Sequence, residues 1–265
     1  MSASANTLEQ IVQGQAPAAL LNPDGAGPFL LACEHASWRI PEEFAGLGLT
    51  EEARRSHVAW DPGALEVAAH MARILDAPLV ISTVSRLVYD CNRPPYAHDA
   101  MPARSERFTI PGNAAVTREE RTRRTRTYYE PFRDLLEETL RGFRQPPVLV
   151  TVHSFTPTYN GETRAVELGI LHDEDSRLAD RMLDLAPAFT AMNTQRNAPY
   201  SPADGVTHTL KQHGILNGLL NVMLEIRNDL IATPGTQAAV AEDLARLLSA
   251  TLTEMRIDAN RTEAT

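Results

Sequence analysis

The chain has 265 residues, of which 43% are hydrophobic and 22% are charged, and its formal net charge is −9. This composition is ordinary for a globular protein with a sizeable core, and the length suits one large α/β domain or two small ones. The acidic balance argues against nucleic acid as a general partner, because phosphate binding needs a basic face.

The cysteine count and the apolar runs argue against a disulfide-rich protein and against a membrane-spanning protein. Two cysteines give no disulfide framework. No apolar run reaches the ~18 residues that a membrane span requires, so no membrane contact is expected. Residues 1–10 lack the basic and apolar regions of a signal peptide, and we therefore expect a cytoplasmic protein.

The first predicted strand follows a segment that is rich in breakers. Prolines and glycines interrupt residues 1–27 after one short apolar turn, so we expect a loose N-terminal arm there. Phe29 to Cys33 is an apolar run of strand length, which predicts a strand buried on both faces. The chain then turns polar at Glu34 and His35, and Pro41 ends any regular continuation.

The next segment is typical of a helix start. Asp61 is a good N-cap, Pro62 suits the first helical position, and apolar residues recur at helical spacing to about residue 76. A second strand is predicted over 78–84. Residues 95–116 then form a long irregular loop, and loops of this length in a compact domain are usually functional or mobile.

Alternating strands and helices are predicted for the remainder of the chain. Thr117 opens a capping box and the longest predicted helix, which runs to about residue 143 with mixed charges on a solvated face. The further predicted elements are strands at 147–153, 166–171 and 221–230 and helices at 176–185, after Thr207 and after Thr233. This alternation predicts a single α/β domain over 1–265, with a mostly parallel sheet covered on both faces.

Two of the predicted strands end in histidine. His35 and His153 each close an apolar run and are followed within a few residues by a serine and a proline. Because chemistry in open α/β sheets lies beyond the carboxyl ends of strands, we expect these side chains to converge. Neutral imidazole is the commonest side-chain metal ligand, so zinc is the first metal to consider, with other divalent metals open. The alternative is a pair of loop histidines that merely cap strands.

The third ligand of such a site is open between several residues. A catalytic zinc has about three protein ligands and one open position. Asp61 ranks first because it belongs to a different element, although it is also a plain N-cap candidate. Glu34 ranks second, since neighbours on an extended chain point to opposite sides, and His57 is a further candidate.

Glu225 is the predicted general base. It is an ionisable residue inside the apolar run Val-Met-Leu-Glu-Ile, where desolvation would raise its pKa toward a useful range. The alternative is an outward-facing Glu225 that pairs with Arg227, which the period-2 spacing of a strand permits.

Donor groups for an anionic substrate follow the second strand. Arg86, Asn92 and Arg93 surround Asp90 in sequence, and guanidinium groups suit bidentate carboxylate binding. A structural network in which Asp90 pairs with an arginine is the competing interpretation. Arg227 is a further candidate for a carboxylate clamp. His208 and His213 would lie in a helix that we expect to act as a lid.

Together these segments resemble the N-formylglutamate amidohydrolases, in order over about residues 29–230. The segments that carry the resemblance are His35-Ala-Ser with Ile40-Pro41, Trp60-Asp61 with Gly63-Ala64, Ser85-Arg86, Asp90 with Asn92-Arg93-Pro94, Val152-His153-Ser154 and Glu225-Ile226-Arg227. The resemblance implies a zinc-carboxypeptidase-like three-layer α/β/α sandwich with a mixed sheet, related to aspartoacylase and succinylglutamate desuccinylase.

The resemblance also implies an activity and residue roles. It implies hydrolysis of the amide of a small acidic N-acyl amino acid, N-formyl-L-glutamate first, in histidine degradation, by a monomer or small homo-oligomer with one zinc per chain. Asn92 and Arg93 fall on a substrate-binding Asn-Arg pair, and Glu225 falls on a late-strand base. The wider group has a His-x-x-Glu ligand motif, but position 38 is Trp, so the resemblance assigns no third ligand.

Two other functions are compatible with the same residues. One is a zinc peptidase or amidase that acts on cell-wall or polyglutamyl amides, which would show an open groove. The other is a non-catalytic protein that binds a metal or an N-acyl acid without turnover.

Overall fold

The computed structural model describes residues 5–263, over which strands and helices alternate. The strands are β1 Ala18–Leu21, β2 Phe29–Cys33, β3 Leu79–Ser82, β4 Arg104–Ser105, β5 Phe108–Thr109, β6 Val148–Phe155, β7 Thr158–Tyr159, β8 Glu162–Thr163, β9 Leu168–Leu171, β10 Thr194–Arg196 and β11 Asn221–Arg227. The α-helices are α1 Ala5–Val12, α2 Glu51–Arg55, α3 Ala64–Ile74, α4 Arg118–Arg124, α5 Glu130–Arg141, α6 Arg177–Phe189 and α7 Pro234–Glu263.

Seven strands form one mixed sheet in the order β1-β3-β2-β6-β11-β9-β10. The pairs β3/β2, β2/β6, β6/β11 and β9/β10 are parallel, whereas β1/β3 and β11/β9 are antiparallel. The central strands β2, β6 and β11 therefore run in the same direction and deliver their carboxyl ends to one edge. The predicted three-layer α/β/α architecture with a mostly parallel mixed sheet is confirmed.

The sheet is buried on both faces, which explains its continuous apolar strands. In β2, Phe29, Leu31 and Cys33 join the core that the sheet shares with α3, α6 and α7. Leu30 and Ala32 point the other way, into the core against α5 and the loops that precede it. The alternation continues past the strand, so the side chain of Glu34 points to the same face as those of Leu30 and Ala32.

The N-terminal arm is more ordered than the sequence predicts. Its residues Ala18 to Leu21 form β1, which pairs antiparallel with β3 in the register Ala18 to Ser82. An exposed strand edge carries unpaired backbone groups, and a short apolar segment satisfies them by adding a strand. The prediction of a loose arm was wrong for this segment; residues 1–4 lie outside the described residues.

The helix predicted over 117–143 is interrupted. A π-helical turn, Thr125–Tyr129, separates α4 from α5. Pro131 lies at the start of α5 and has no backbone N–H to continue the ordinary ladder. The 30-residue α7 is longer than either piece, and no helix within residues 5–263 is long and apolar enough to cross a membrane.

Candidate metal centre and active site

The polar centre lies where β2 and β6 end. His35 is the second residue after β2, and His153 lies near the end of β6. Both imidazoles are almost fully buried, and their ring centroids are 4.8 Å apart. The parallel pairing of β2 with β6 places the two side chains together, as the strand-end argument predicts.

Asp61 reaches this centre because backbone contacts hold its loop against both strands. Its N–H donates to the carbonyl of His35 at 3.0 Å, and the Ser154 hydroxyl donates to the carbonyl of Pro62 at 2.8 Å. Helix α3 begins at Ala64 after Gly63, which is left-handed at φ +81° and offers no side-chain cap. The N-cap interpretation of Asp61 is therefore wrong, and its carboxylate faces the histidines instead.

Three donor atoms form a small triangle at the centre. Oδ2 of Asp61 lies 2.9 Å from Nδ1 of His153 and 3.2 Å from Nδ1 of His35, and the two Nδ1 atoms are 3.2 Å apart. Ligands at about 2.0–2.1 Å from a tetrahedral zinc are separated by about 3.3 Å. The triangle therefore has nearly the dimensions of one face of such a coordination shell, and these residues fit a metal ion.

The outer nitrogen of each imidazole faces a carboxylate. Nε2 of His35 lies 2.7 Å from Oδ1 of Asp90. Nε2 of His153 lies 3.1 Å from Oε2 of Glu34, although the two atoms are not aligned for a hydrogen bond. Carboxylates in this position orient metal-ligating histidines and raise their basicity. Glu34 thus stands behind His153, outside the triangle.

The charge balance of the centre favours a cation. Burial lowers the pKa of His153, but the carboxylates of Glu34 and Asp61 outweigh it and the pKa lies well above its ordinary value. Burial likewise raises the pKa of Asp61, yet the two histidines bring it below its usual range. Carboxylates therefore surround the imidazoles with a negative potential that a divalent metal would satisfy.

Glu225 completes the centre from the neighbouring strand. The register of β11 and β6 puts Glu225 directly beside His153, on the same face of the sheet. Its side chain is buried and its Oε2 atom has no hydrogen-bond partner. Burial and the Asp61 carboxylate raise the pKa of Glu225 to about 7. The alternative pairing with Arg227 does not occur, because Arg227 binds Glu167 and Asp229.

These groups open into one cavity of ≈ 660 Å³. His35, Asp61, His153 and Glu225 lie in its wall. Much of the remaining wall comes from the β7–β8 hairpin and from the loops over 86–106 and 199–206. A volume of this size is typical of sites for small molecules.

Comparison with known proteins identifies the family. The family model described as FGase, N-formylglutamate amidohydrolase, matches residues 27–232. The chain belongs to the N-formylglutamate amidohydrolase family. The match confirms the resemblance drawn from the sequence and indicates a hydrolase that acts on amide bonds.

Solved structures show the same fold. The crystal structure of gene product Atu2144 from Agrobacterium tumefaciens is 48% identical over 91% of this chain and 96% of that chain, with a TM-score of 0.89. N-formylglutamate amidohydrolase from Ralstonia eutropha JMP134 is 19% identical over 91% and 99% of the two chains, with a TM-score of 0.63. A search of curated proteins found no match.

The donor cluster predicted from the sequence, Arg86, Asn92 and Arg93, lies in the cavity wall, but its polar groups are already engaged. The Arg86 guanidinium contacts Asp90 at 2.9 Å and Asp61 at 3.5 Å, as the competing structural interpretation expected. The amide of Asn92 donates to the carbonyl of Val206 and accepts from the N–H of Thr209. Asn92 therefore holds the segment from Val206 to Thr209 at the cavity wall.

Arg93 is engaged in a similar way. Its Nε lies 3.1 Å from Oδ2 of Asp99, and its Nη1 donates to the carbonyl of Asp204 at 2.7 Å. The guanidinium thus joins two loops of the wall. The remaining predicted clamp, Arg227, lies outside the cavity-lining residues and is held by Glu167 and Asp229.

The other histidines lie away from the triangle. His57 lines the cavity but pairs with Glu106 at 2.9 Å. His208 binds the Tyr129 hydroxyl at 2.7 Å, and burial lowers the pKa of His208 to about 4. The π turn Leu210–Gly214 packs on β6 and β11 and buries His213, so this segment belongs to the core rather than to a lid.

Sequence reasoning missed three contributions to the site. Asp90 was expected to pair with an arginine, yet it also contacts Nε2 of His35 and orients that ring. Arg164 and Tyr200 line the cavity and were not singled out. The turn Asn160-Gly161 between β7 and β8 is a hairpin signal that could have pointed to Arg164.

Proposed function

We propose that this chain is a metal-dependent amidohydrolase that cleaves the amide of a small acidic N-acyl amino acid. The first candidate substrate is N-formyl-L-glutamate, which would give formate and L-glutamate. The observation that carries the proposal is the triangle of His35 Nδ1, His153 Nδ1 and Asp61 Oδ2, with the unpartnered Glu225 carboxyl beside it in a cavity. Membership of the family supports the amide as the bond that is cleaved.

His35, Asp61 and His153 would hold one zinc ion per chain, or another divalent metal. A zinc ion there would polarise the acyl carbonyl and make water a better nucleophile near neutral pH. Asp90 and Glu34 keep the two imidazoles turned so that each Nδ1 faces the centre. The protein's contribution at this position is a rigid, buried donor set with one side open to the cavity.

Glu225 is the proton carrier of the proposed reaction. Its buried carboxylate accepts the proton of the attacking water and then returns it to the nitrogen of the departing amino acid. A carboxyl with a pKa of about 7 serves both steps at neutral pH, because neither protonation state is strongly disfavoured. Position supports this role independently, since the β11 register places Glu225 next to His153.

The walls of the cavity favour a small substrate over a peptide. The β7–β8 hairpin and the loops over 86–106 and 199–206 contribute to the wall of a cavity of ≈ 660 Å³, a volume typical of small-molecule sites, whereas a peptidase would need a groove. The arginines in the wall suit an anion even though the whole chain carries a net charge of −9.

The direct test is a substrate panel with the purified metal-loaded protein. Formate and free amino acid are measured with N-formyl-L-glutamate, N-acetyl-L-glutamate and N-formyl-L-leucine. Preferred release of formate and glutamate from the first compound supports the proposal. Full metal occupancy with no turnover on the entire panel would contradict it and would favour a non-catalytic metal-binding protein.

A further inference from the structure

Four arginines line the cavity, and two of them are already paired with carboxylates. Arg86 contacts Asp61 and Asp90, and Arg93 contacts Asp99. Arg164 and Arg104 have no carboxylate within 4.0 Å among the residues that the structure describes. Uncompensated positive charge in the cavity therefore resides on these two side chains.

Of the two side chains, Arg164 has the guanidinium group that its neighbours position more firmly. Its guanidinium lies 4.5 Å from the ring centroid of Tyr159, 4.9 Å from that of Tyr200 and 5.5 Å from that of Phe155. It also donates to the Tyr200 hydroxyl at 3.1 Å and to the carbonyl of Thr156 at 3.4 Å. Stacking on aromatic faces holds the guanidinium plane and leaves donors at its edge for a planar anion.

Arg104 has a more exposed environment than Arg164. Its side chain is exposed, and its Nε donates to the carbonyl of Glu106 at 3.0 Å. Water screens an exposed charge, whereas a half-buried guanidinium against aromatic rings interacts more strongly with an anion. The chain therefore presents Arg164 as the stronger anion-binding group of the cavity.

Two residues connect Arg164 with the candidate metal centre. Phe155 follows His153 by two residues on β6, and its ring contacts the guanidinium. Tyr200, whose hydroxyl accepts from Arg164, lines the same cavity as Glu225. Arg164 thus shares one cavity with the candidate metal centre, and Phe155 and Tyr200 lie in the same wall.

We propose that Arg164 binds the side-chain carboxylate of the substrate and makes the enzyme select acidic over neutral N-acyl amino acids. The inference rests on the proposed function. The α-carboxylate is one carbon from the amide nitrogen and must lie near the metal centre with that amide. The side-chain carboxylate is separated from that nitrogen by two more bonds, so it can extend from the metal centre toward Arg164 in the same cavity.

The test compares N-formyl-L-glutamate with N-formyl-L-glutamine, which has a neutral side chain of nearly the same shape. Arg164→Gln should lower kcat/KM for the glutamate compound about 100-fold, mainly through KM, and change that for the glutamine compound by less than about threefold. Arg164→Lys should restore part of the preference, because it keeps the charge but loses the planar edge. Tyr200→Phe should weaken the preference several-fold, since it removes the hydroxyl that positions Arg164.

Arg107→Gln is the matched control. Arg107 also stacks on an aromatic ring, at 4.9 Å from the centroid of Phe108, but lies outside the cavity-lining residues. Its substitution should leave kcat/KM for both compounds unchanged. Binding of L-glutamate and L-glutamine to wild type and Arg164→Gln, followed by calorimetry, gives a second readout that needs no turnover.

The outcomes separate this inference from the proposed function. Turnover of N-formyl-L-glutamate with no loss of selectivity in Arg164→Gln, or an equal loss on both compounds, overturns the role of Arg164 and leaves the function intact. Absent turnover with Arg164-dependent binding of L-glutamate over L-glutamine supports the subsite and overturns the function. Absent turnover with no such binding overturns both.

Discussion

Nε2 of His35 lies 2.7 Å from Oδ1 of Asp90, in a pair of side chains that are both almost fully buried. The same carboxylate contacts the Arg86 guanidinium through its other oxygen at 2.9 Å. When His35 donates its Nε2 proton to Asp90, its Nδ1 lone pair faces Asp61 and His153. The pair thus directs one histidine toward the centre and fixes the position of its ring.

Asp90→Asn should weaken metal binding about 10- to 100-fold, because an amide neither carries the charge nor accepts as strongly from Nε2. The measurement is the zinc Kd by competition with a coloured chelator. Asp99→Asn is the control, since Asp99 is an exposed carboxylate of the same cavity that contacts Arg93 and no histidine. Equal zinc affinities of wild type and Asp90→Asn would show that Asp90 does not support a ligand.

Asp61 and Glu34 can be separated as third ligands. Asp61→Ala should abolish stoichiometric zinc binding at micromolar concentration, because it removes one corner of the triangle. Glu34→Gln should retain one zinc per chain with an affinity lower by about 10- to 100-fold, since it acts through His153. Metal content after dialysis, measured by mass spectrometry, distinguishes them. The reverse pattern would make Glu34 the ligand.

Glu225→Gln should lower kcat by about 10²- to 10⁴-fold while zinc content stays equal to that of the wild type. The substitution keeps the shape of the side chain and removes its ability to take a proton. Formate release under substrate saturation provides kcat, and metal analysis of the same sample excludes loss of the centre. Near-normal turnover in Glu225→Gln would refute the assignment of the base.

Gly63→Ala should destabilise the protein and disturb the metal site. Gly63 has φ +81°, and a Cβ there would lie 2.6 Å from the carbonyl oxygen of Ile231. We expect a loss of about 2–4 kcal/mol in the free energy of unfolding by urea denaturation, because backbone strain and a backbone clash act together. Gly161→Ala is the control for strain alone, as its φ is +86° with no neighbour within 4 Å. Equal losses in the two variants would contradict the clash.

His213 should make the protein sensitive to acid. Its Nδ1 is buried without a hydrogen-bond partner, and burial lowers the pKa of His213 to about 4. Below the ordinary pKa of about 6.5 the unfolded chain binds a proton that the folded chain excludes, so stability falls as the pH drops from about 6.5 to 4. His213→Phe should reduce this loss by about 2 kcal/mol, measured by urea denaturation at pH 7 and pH 5. An unchanged pH dependence would exclude this origin.

The sequence predicts the convergence of His35 and His153 because both close apolar runs, and the strands that these runs form are parallel. Parallel strands bring their carboxyl ends to one edge, so the position along the chain is sufficient for that inference. Glu225 could be found for a related reason, since a carboxyl inside an apolar strand has few positions other than a buried face. These features depend on strand periodicity, which is local.

The partners of the histidines depend on loop paths that periodicity does not determine. Asp61 resembled a helix cap because its neighbours Pro62 and Gly63 are typical of helix starts, yet backbone bonds to the His35 strand turn it inward. Asp90 lies 55 residues from His35 and reaches it through an irregular loop. The contact of Arg86 with Asp61 and that of Arg93 with the carbonyl of Asp204 likewise join residues 25 and 111 positions apart, which a single sequence does not reveal.

The central claim is tested most directly by formate release from N-formyl-L-glutamate. Release is measured after a chelator has removed zinc from the protein and again after zinc has been restored. The account predicts that turnover is lost with the metal and returns in proportion to zinc added, up to one equivalent per chain. Undiminished turnover in protein shown by mass spectrometry to be metal-free would contradict a metal centre at His35, Asp61 and His153.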